Sequence, residues 1–66
     1  MDYELVQTFM GYEIRKPNGK FFLYVEKVYK GKYTWCSDYL YAKKFSLKTA
    51  KKHINRLKEM ECWKWQ

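Results

Sequence analysis

The only proline of the chain, Pro17, stands directly before Asn18-Gly19, and this tripeptide is a strong reverse-turn signal. Asn-Gly is typical of a two-residue type I′ turn between antiparallel strands, because both central residues need a positive φ. A hairpin closed by this turn pairs Pro17 with Lys20 and places Ile14 opposite Leu23. The apolar face of the hairpin would then consist of Tyr12, Ile14, Phe21, Leu23 and Val25.

A third strand is predicted after the turn Lys30-Gly31-Lys32, because residues 33–37 are rich in β-branched and aromatic side chains. A three-residue loop here would direct Tyr33 and Trp35 toward the core, whereas a two-residue loop would direct them away from it. We favour Trp35 in the core. Residues 1–10 fit either a short helix or additional strand structure, so the sheet has three or four strands.

The second half of the chain changes to a helical pattern, in which apolar residues recur at spacings of three and four. These residues are Leu47, Ala50, Ile54, Leu57 and Met60. Ser46 is the expected N-cap, since its hydroxyl can accept a hydrogen bond from the amide of Thr49. Phe45, directly before this cap, can pack against Ala50. The pattern therefore predicts one amphipathic helix that begins after Ser46.

These elements predict an α+β fold of one domain, in which an antiparallel β-meander over residues 11–37 packs against a C-terminal helix over residues 46–61. Residues 62–66 are a tail. With 66 residues the chain is too short for a second domain, and its 21% aromatic content supplies apolar area for one core. No apolar run reaches the roughly 20 residues of a transmembrane helix. The acidic start at Asp2 and Glu4 is unlike a secretory signal, so we expect a cytoplasmic protein.

Few side chains in this sequence are chemically reactive. Cys36 and Cys62 are far apart along the chain, and we interpret them as free thiols, with a single disulfide as the alternative. The one histidine, His53, borders the apolar stripe of the helix and has no motif partner, which favours a boundary position over a general base. We therefore expect no enzymatic activity, no metal, no cofactor and no small-molecule substrate.

The net charge of +7 is concentrated in one part of the chain. Residues 43–58 contain seven basic residues and no acid, whereas residues 1–14 contain three acids and no base. On the predicted helix the cations lie in the first turns, where the positive end of the helix dipole disfavours them. A solvated face that keeps the protein soluble is one explanation, and an anionic partner is the other. The candidate residues for binding nucleic acid or an acidic protein are Lys43, Lys44, Lys48, Lys51, Lys52 and Arg56.

Four aromatic side chains are further candidates for contacts with a partner. Phe22 and Tyr24 belong to the outer face of the hairpin, where they would stack on bases or lie under the N-terminal segment. Trp63 and Trp65, near the end of the chain, would pack back onto the sheet edge or, if exposed, anchor a protein partner.

Several short segments together resemble small phage and prophage proteins. The segments are Gly11-Tyr12-Glu13-Ile14, Asn18-Gly19-Lys20-Phe21, Trp35, Ser37-Asp38, and Ala42-Lys43-Lys44-Phe45-Ser46 ahead of Ala50. In such proteins, most of them of unknown function, a β-meander is followed by an Ala-x-x-Phe-Ser/Thr segment that opens a helix. The resemblance covers about residues 8–58. It implies the same α+β fold and, for a phage-encoded chain, the cytoplasm of the host cell.

Two functional classes share this outline. The arm-binding domains of some phage integrases insert a three-stranded sheet into the major groove of DNA, which by resemblance implies contacts near four residues. These are Arg15, Lys20, Tyr24 and Lys27. Small phage inhibitors of host defence, including anti-CRISPR proteins, are compact and act through protein contacts instead.

We therefore expect a non-catalytic, phage-type accessory protein that binds nucleic acid through its lysine-rich helix. The alternative is an anti-CRISPR-like inhibitor that docks on an acidic host protein, such as a defence or nucleic-acid-handling enzyme. A further alternative is a homodimer formed through an exposed strand edge. No membrane partner is expected.

Overall fold

The computed structural model describes residues 3–64, and for residues 61–64 it describes the backbone alone. Its strands form one antiparallel sheet in the order β1-β2-β3-β4. The strands are β1 (Glu4–Thr8), β2 (Gly11–Asn18), β3 (Phe21–Tyr29) and β4 (Lys32–Cys36), followed by a 3-10 helix (Tyr39–Tyr41) and α1 (Leu47–Lys64). The predicted α+β class is confirmed, and the β-meander has four strands.

The N-terminal residues form strand β1 rather than a helix. β1 pairs with β2, and this register places Leu5 opposite Ile14, so that Leu5 packs against the core. Phe9 and Met10 form the turn that joins the two strands, and both side chains are exposed. The Thr8 hydroxyl accepts a hydrogen bond from the Met10 amide at 3.2 Å, which supports the turn. The segment that the sequence left undecided is thus an edge strand.

The turn between β2 and β3 lies one residue later than predicted. Asn18 pairs with Phe21, so the central residues of the turn are Gly19 and Lys20. Gly19 has a φ of 63°. A type II′ turn needs a positive φ at its first central residue alone, and Gly19 supplies it. Asn18 is therefore not a central residue of the turn, and it forms the last pair of β2 with β3.

The later turn changes which residues pair across β2 and β3, but it does not change the face of the sheet on which each side chain lies. The pairs Pro17 with Lys20 and Ile14 with Leu23 are wrong, and the observed pairs are Pro17 with Phe22 and Lys16 with Leu23. Because the register moves by two residues along β3, each side chain stays on its side of the sheet. Ile14 and Val25, one step further along this register, are both 0% exposed. Phe21 lies on the same face next to the turn, but it is 72% exposed and outside the core.

A β-bulge decides which face of β4 meets the core. The turn before β4 has two central residues, Lys30-Gly31, with φ values of 49° and 77°, as in a type I′ turn. For a loop of this length we predicted Tyr33 and Trp35 on the outer face. Tyr33 pairs with Val28, as the two-residue loop requires, but a bulge between Val25 and Lys27 adds one residue to β3, so that Trp35 pairs with Val25 and both aromatic side chains pack against the core. The favoured position of Trp35 on the core side is confirmed, and the bulge rather than the loop length produces it.

The core lies between α1 and one face of the sheet. Within residues 3–60 its buried members are Ile14, Val25, Phe45, Ala50, Ile54 and Leu57. The middle of the predicted helix stripe is therefore buried. The two end members of the stripe, Leu47 and Met60, are 40% and 43% exposed.

The start of α1 follows the prediction, and its end does not. The Thr49 amide donates to the Ser46 hydroxyl at 3.3 Å, which confirms Ser46 as the N-cap. The helix continues to Lys64, so the predicted end at residue 61 is wrong. Residues 62–64 contain neither Gly nor Pro, and nothing local stops the helix there. In the part of the chain that the structure describes, no helix is both long and apolar enough to cross a membrane.

The segment that leads into α1 is inserted in the sheet between β2 and β3. These two strands pair with each other over residues 15–18 of β2. Further along, the amide and the carbonyl of Tyr12 bond to Phe45, both at 2.8 Å. On the other side, the Lys43 amide donates to the Val25 carbonyl of β3 at 2.8 Å. The start of the helix is thereby tied to both halves of the sheet.

Candidate nucleic-acid interface

The exposed face of α1 carries most of the predicted binding residues. Lys48, Lys51, Lys52 and Arg56 are exposed on the helix, and Lys43 is exposed just before it. Lys48, Lys52 and Arg56 follow one another at intervals of four, so they form one row along the helix. Among the described side chains, none of these four lysines has an ion-pair partner. The structure thus places five of the six predicted cations on the exposed surface.

Lys44 differs from these five because it is engaged within the fold. Its Nζ lies 2.6 Å from Oε2 of Glu13 and donates to the Ala42 carbonyl at 3.1 Å. The Glu13 side chain is 5% exposed, and that of Lys44 is 29% exposed. The insertion of residues 43–45 beside β2 brings the two charges together. Sequence patterns contain no signal for this pair, since the two residues are distant along the chain.

The first turn of α1 has a positive potential that no acid offsets. It contains no acidic residue, and it contains Lys48. The helix dipole adds about half a positive charge at this end. Lys48 and Lys52 are like charges four residues apart, which costs the helix a few tenths of a kcal/mol. The arrangement favours an anion near the beginning of the helix at the expense of local stability.

The outer face of the sheet, opposite α1, is partly occupied by its own contacts. The guanidinium of Arg15 donates from Nε and Nη2 to Oε1 of Glu4, at 3.1 Å and 2.9 Å. It also lies 3.9 Å from the centroid of the Phe22 ring, so one side of that ring is covered. The hydrogen bond to Glu4 raises the pKa of Arg15 above its ordinary value.

The two outer rings are not buried by the N-terminal segment. Phe22 and Tyr24 are half-buried, and the N-terminal residues form β1 at the edge of the sheet. The interpretation that these rings lie under the N-terminal segment is therefore wrong. The reason is that Leu5 reaches the core as part of the edge strand β1, so the N-terminal segment from Tyr3 onward does not cross the outer face.

Of the cysteine and tryptophan side chains for which predictions were made near the chain's reactive and C-terminal positions, the structure describes that of Cys36. Cys36 is a free thiol, as predicted, and its Sγ donates to the Asp38 carbonyl at 3.3 Å. Burial raises the pKa of this thiol. The side chains of Cys62 and Trp63, and the whole of Trp65, lie outside the described residues.

An exposed apolar group that the sequence pattern did not reveal lies on the 3-10 helix. Tyr39, Leu40 and Tyr41 are 60%, 72% and 67% exposed. Asp38 holds the turn, because its Oδ1 accepts from the Leu40 amide at 2.9 Å and its carbonyl accepts from the Tyr41 amide at 3.1 Å. The sequence signal is a capping Asp before an apolar tripeptide that no strand or helix pattern includes.

His53 is half-buried at the edge of the core. Its ring centroid lies 5.6 Å from that of Tyr33 and 5.1 Å from that of Phe45. Burial lowers the pKa of His53, and the charges of Arg56 and Lys52 lower it further. In the described part of the chain, no three His, Cys, Asp or Glu side chains gather where they could hold a metal ion.

No family model, no curated protein and no solved structure significantly matches this chain. The fold and the exposed side chains define a small α+β domain with a basic helix face and an apolar 3-10 turn. Any function is inferred from these two surfaces.

Proposed function

We propose that this protein binds nucleic acid through the exposed basic face of α1. The supporting observation is the row of Lys48, Lys52 and Arg56, with Lys43 and Lys51 beside it. A helix rises about 1.5 Å per residue, so the row extends over about 12 Å. At about 3.4 Å of rise per nucleotide, this length matches three or four phosphates of one strand.

The position of these charges favours a binding role over simple solubility. A solubilising lysine serves equally well on any exposed surface. Here Lys48 lies in the first turn of α1, where the helix dipole disfavours a cation, and it repels Lys52 four residues further along. An anionic partner would turn both penalties into favourable interactions.

The proposed binding is largely independent of base sequence. Lysine is a compact charge on a flexible stem and contacts phosphates, which position a protein but do not identify bases. Each neutralised phosphate contributes about 0.7 to 0.9 to the dependence of log affinity on log salt concentration. Five exposed cations on and before α1 predict a slope of roughly 3 to 5.

The test is a salt series of binding to labelled single- and double-stranded oligonucleotides, followed by fluorescence anisotropy. The variant Lys48→Gln with Lys52→Gln should reduce the slope by about 1.5 and weaken binding at every salt concentration. The matched control is Lys20→Gln with Lys27→Gln. It removes the same charge from two exposed lysines of the β2–β3 turn and of β3.

The control also separates helix binding from the sheet-in-groove mode of the integrase domains. Equal losses in both double variants would show that total charge, rather than the helix face, determines binding. A larger loss in the control would assign binding to the sheet. Affinity that ignores ionic strength would contradict the proposal altogether.

A second candidate function is inhibition of a host enzyme by protein contact, and the 3-10 turn favours it. Tyr39, Leu40 and Tyr41 are exposed side by side on a turn that Asp38 holds in place. Exposed Tyr rings on a rigid turn suit interface anchors, because little conformational entropy is lost when they bind. The neighbouring exposed Lys43 and the charge of +7 indicate an acidic protein surface as the partner.

This alternative is tested by affinity purification from host cells with and without nuclease. A protein partner that remains after nuclease treatment, and that Leu40→Asp releases while Lys48→Gln with Lys52→Gln does not, would favour the inhibitor. Recovery that disappears with nuclease favours the nucleic-acid proposal.

A further inference from the structure

The free edge of β1 presents backbone groups that can bond to another strand. Tyr12 directs both its amide and its carbonyl to Phe45, on the side of β2 away from β1. Gln7 and Tyr12 are therefore a non-hydrogen-bonded pair of the β1–β2 ladder. Because this pattern repeats every two residues, the amides and carbonyls of Leu5 and Gln7 point away from β2, toward the edge. Among residues 3–64, no backbone bond reaches these two residues from another element.

β1 also lacks the features by which sheets protect an edge. Its sequence contains neither lysine nor proline, and its pairing with β2 has no bulge. Its one charged side chain, Glu4, is bonded to Arg15 of the same chain. The opposite edge differs, since β4 begins with the exposed Lys32 and pairs with the bulged strand β3. Of the two edges, β1 is therefore the one suited to accept another strand.

Exposed apolar side chains lie at one end of the same edge. Phe9 is fully exposed and Met10 is 77% exposed, both in the turn that follows β1. The nucleic-acid proposal gives neither side chain a role. In an antiparallel pair of β1 strands, the turn of one copy lies beside the beginning of β1 in the other, which removes apolar surface from water.

The charge distribution permits two copies to approach at this edge. Residues 1–14 contain three acids and no base, whereas residues 43–58 contain seven basic residues and no acid. Repulsion between two copies is therefore weaker at β1 than in a contact through α1. An antiparallel strand edge is also self-complementary, because a reversed copy of it presents acceptors to its donors. The occupant that fits this edge is a second copy of the chain.

We propose that two copies of this chain form a dimer through antiparallel pairing of their β1 strands. The four-stranded sheets of the two copies then become one continuous sheet. With Val6 on the two-fold axis, Leu5 of each copy pairs with Gln7 of the other, and each of these pairs exchanges both of its hydrogen bonds. In this register Glu4 lies opposite Thr8, so no like charges face each other across the new pair.

The dimer places both basic helix faces on one side of the molecule. The two-fold axis of an antiparallel strand pair is perpendicular to the sheet, so α1 lies over the same face of the continuous sheet in both copies. The rows of Lys48, Lys52 and Arg56 are then presented together. The dimer goes beyond the proposed function, since it forms without nucleic acid.

The first experiment is sedimentation velocity of the full chain over a range of concentrations, without nucleic acid. Gln7→Pro removes the outward amide of an exposed edge residue, so the dimer should be lost. Gln7→Val is the matched control, because it keeps this amide and should retain the dimer. A wild-type chain that is monomeric at every accessible concentration would overturn the proposal, as would a Gln7→Pro variant that dimerises like the wild type.

The second experiment follows amide hydrogen exchange of the wild-type chain by NMR and needs no substitution. The amides of Leu5 and Gln7 should exchange slowly only at concentrations where the dimer is populated. The internal control is the Tyr33 amide, which points to the free edge of β4 because Tyr33 and Val28 form a non-hydrogen-bonded pair next to the turn. It should exchange fast at all concentrations.

Exchange of Leu5 and Gln7 that does not depend on concentration would show that β1 is not the interface. This measurement decides the question even if circular dichroism shows that Gln7→Pro is unfolded.

The outcomes separate the dimer from the proposed function. A monomer that binds oligonucleotides with the expected salt slope overturns the pairing and leaves the function in place. A dimer with protected Leu5 and Gln7 amides that binds no oligonucleotide supports the pairing and removes the function.

Discussion

Lys44 lies in the segment inserted between β2 and β3 and forms an ion pair with the buried carboxylate of Glu13. Its Nζ is 2.6 Å from Oε2 of Glu13. The two residues come from separate parts of the chain, one from β2 and one from the segment before α1. The same segment bonds through its backbone to Tyr12 and Val25. Charge and backbone hydrogen bonds therefore hold the beginning of the helix at one position in the sheet.

The two partners of this ion pair differ in exposure, and this predicts unequal effects of their removal. Lys44→Met leaves a carboxylate that is 5% exposed without its cation, and we expect a loss of about 2 to 3 kcal/mol. Glu13→Gln leaves a lysine that is 29% exposed and can reach water, so about 1 kcal/mol should be lost. Urea unfolding measures both values. The control Lys43→Met, at the exposed neighbour, should change stability by less than about 0.5 kcal/mol. A reversed order of the two losses would contradict the assignment.

Gly11 is the glycine whose substitution we expect to destabilise the fold most. Its φ is 135°, and an added Cβ would lie 2.9 Å from the backbone carbonyl oxygen of Phe45. Gly11→Ala should therefore cost about 3 kcal/mol, since neither backbone can move without breaking the Tyr12 pairing. The matched control is Gly31→Ala, in the type I′ turn before β4, where φ is 77° and the Cβ meets nothing within 4 Å. It should cost about 1 kcal/mol. If thermal unfolding gives the same loss of stability for both variants, residues 43–45 are not held next to β2 as the structure indicates.

The stability of the protein should fall as the solution is acidified through the range in which His53 titrates. Burial lowers the pKa of His53 below its ordinary value of 6.5, so the unfolded chain binds more protons than the folded one in this window. Stability is therefore complete above pH 6.5 and decreases as the pH falls through the folded-state pKa. In His53→Asn the contribution disappears, and the melting temperature should change less between pH 7.5 and 5.5. Parallel curves for the two proteins would contradict the burial of the imidazole.

The outer sheet face should contribute little to nucleic-acid binding. Arg15 is bonded to Glu4 and covers one side of the Phe22 ring, so its charge is already paired and the ring is partly occupied. Phe22→Leu and Arg15→Gln should each leave the affinity within about twofold, whereas loss of a stacked base would cost about 1 to 3 kcal/mol. Anisotropy measurements at one salt concentration suffice. A tenfold loss with Phe22→Leu would move the interface from the helix to the sheet.

Features that depend on neighbouring residues were predictable from the sequence. The helix start at Ser46 rests on a cap and a period that act within a few residues, and the structure has both. The shared face of Ile14 and Val25 follows from alternation, and it survived a turn placed one residue away. The exposed cations of α1 follow from the same helical period.

Features that depend on contacts between two distant segments were not predictable from the sequence. The outward or inward direction of Trp35 was open, because a bulge after Val25 depends on how β3 fits both β4 and the core. The 3-10 turn is exposed because of the path that the chain takes between β4 and the inserted segment.

By itself the sequence determined the α+β class, the helix with its cap, and the concentration of positive charge on one helix face. These properties follow from periodicity and charge, which act between residues that are close along the chain. Only the tertiary structure decided that Lys44 belongs to Glu13, that Tyr33 contacts His53, and that the pre-helix segment lies between β2 and β3. The physical reason is that such contacts are selected by packing of the whole molecule, because each needs a backbone position that no local pattern specifies.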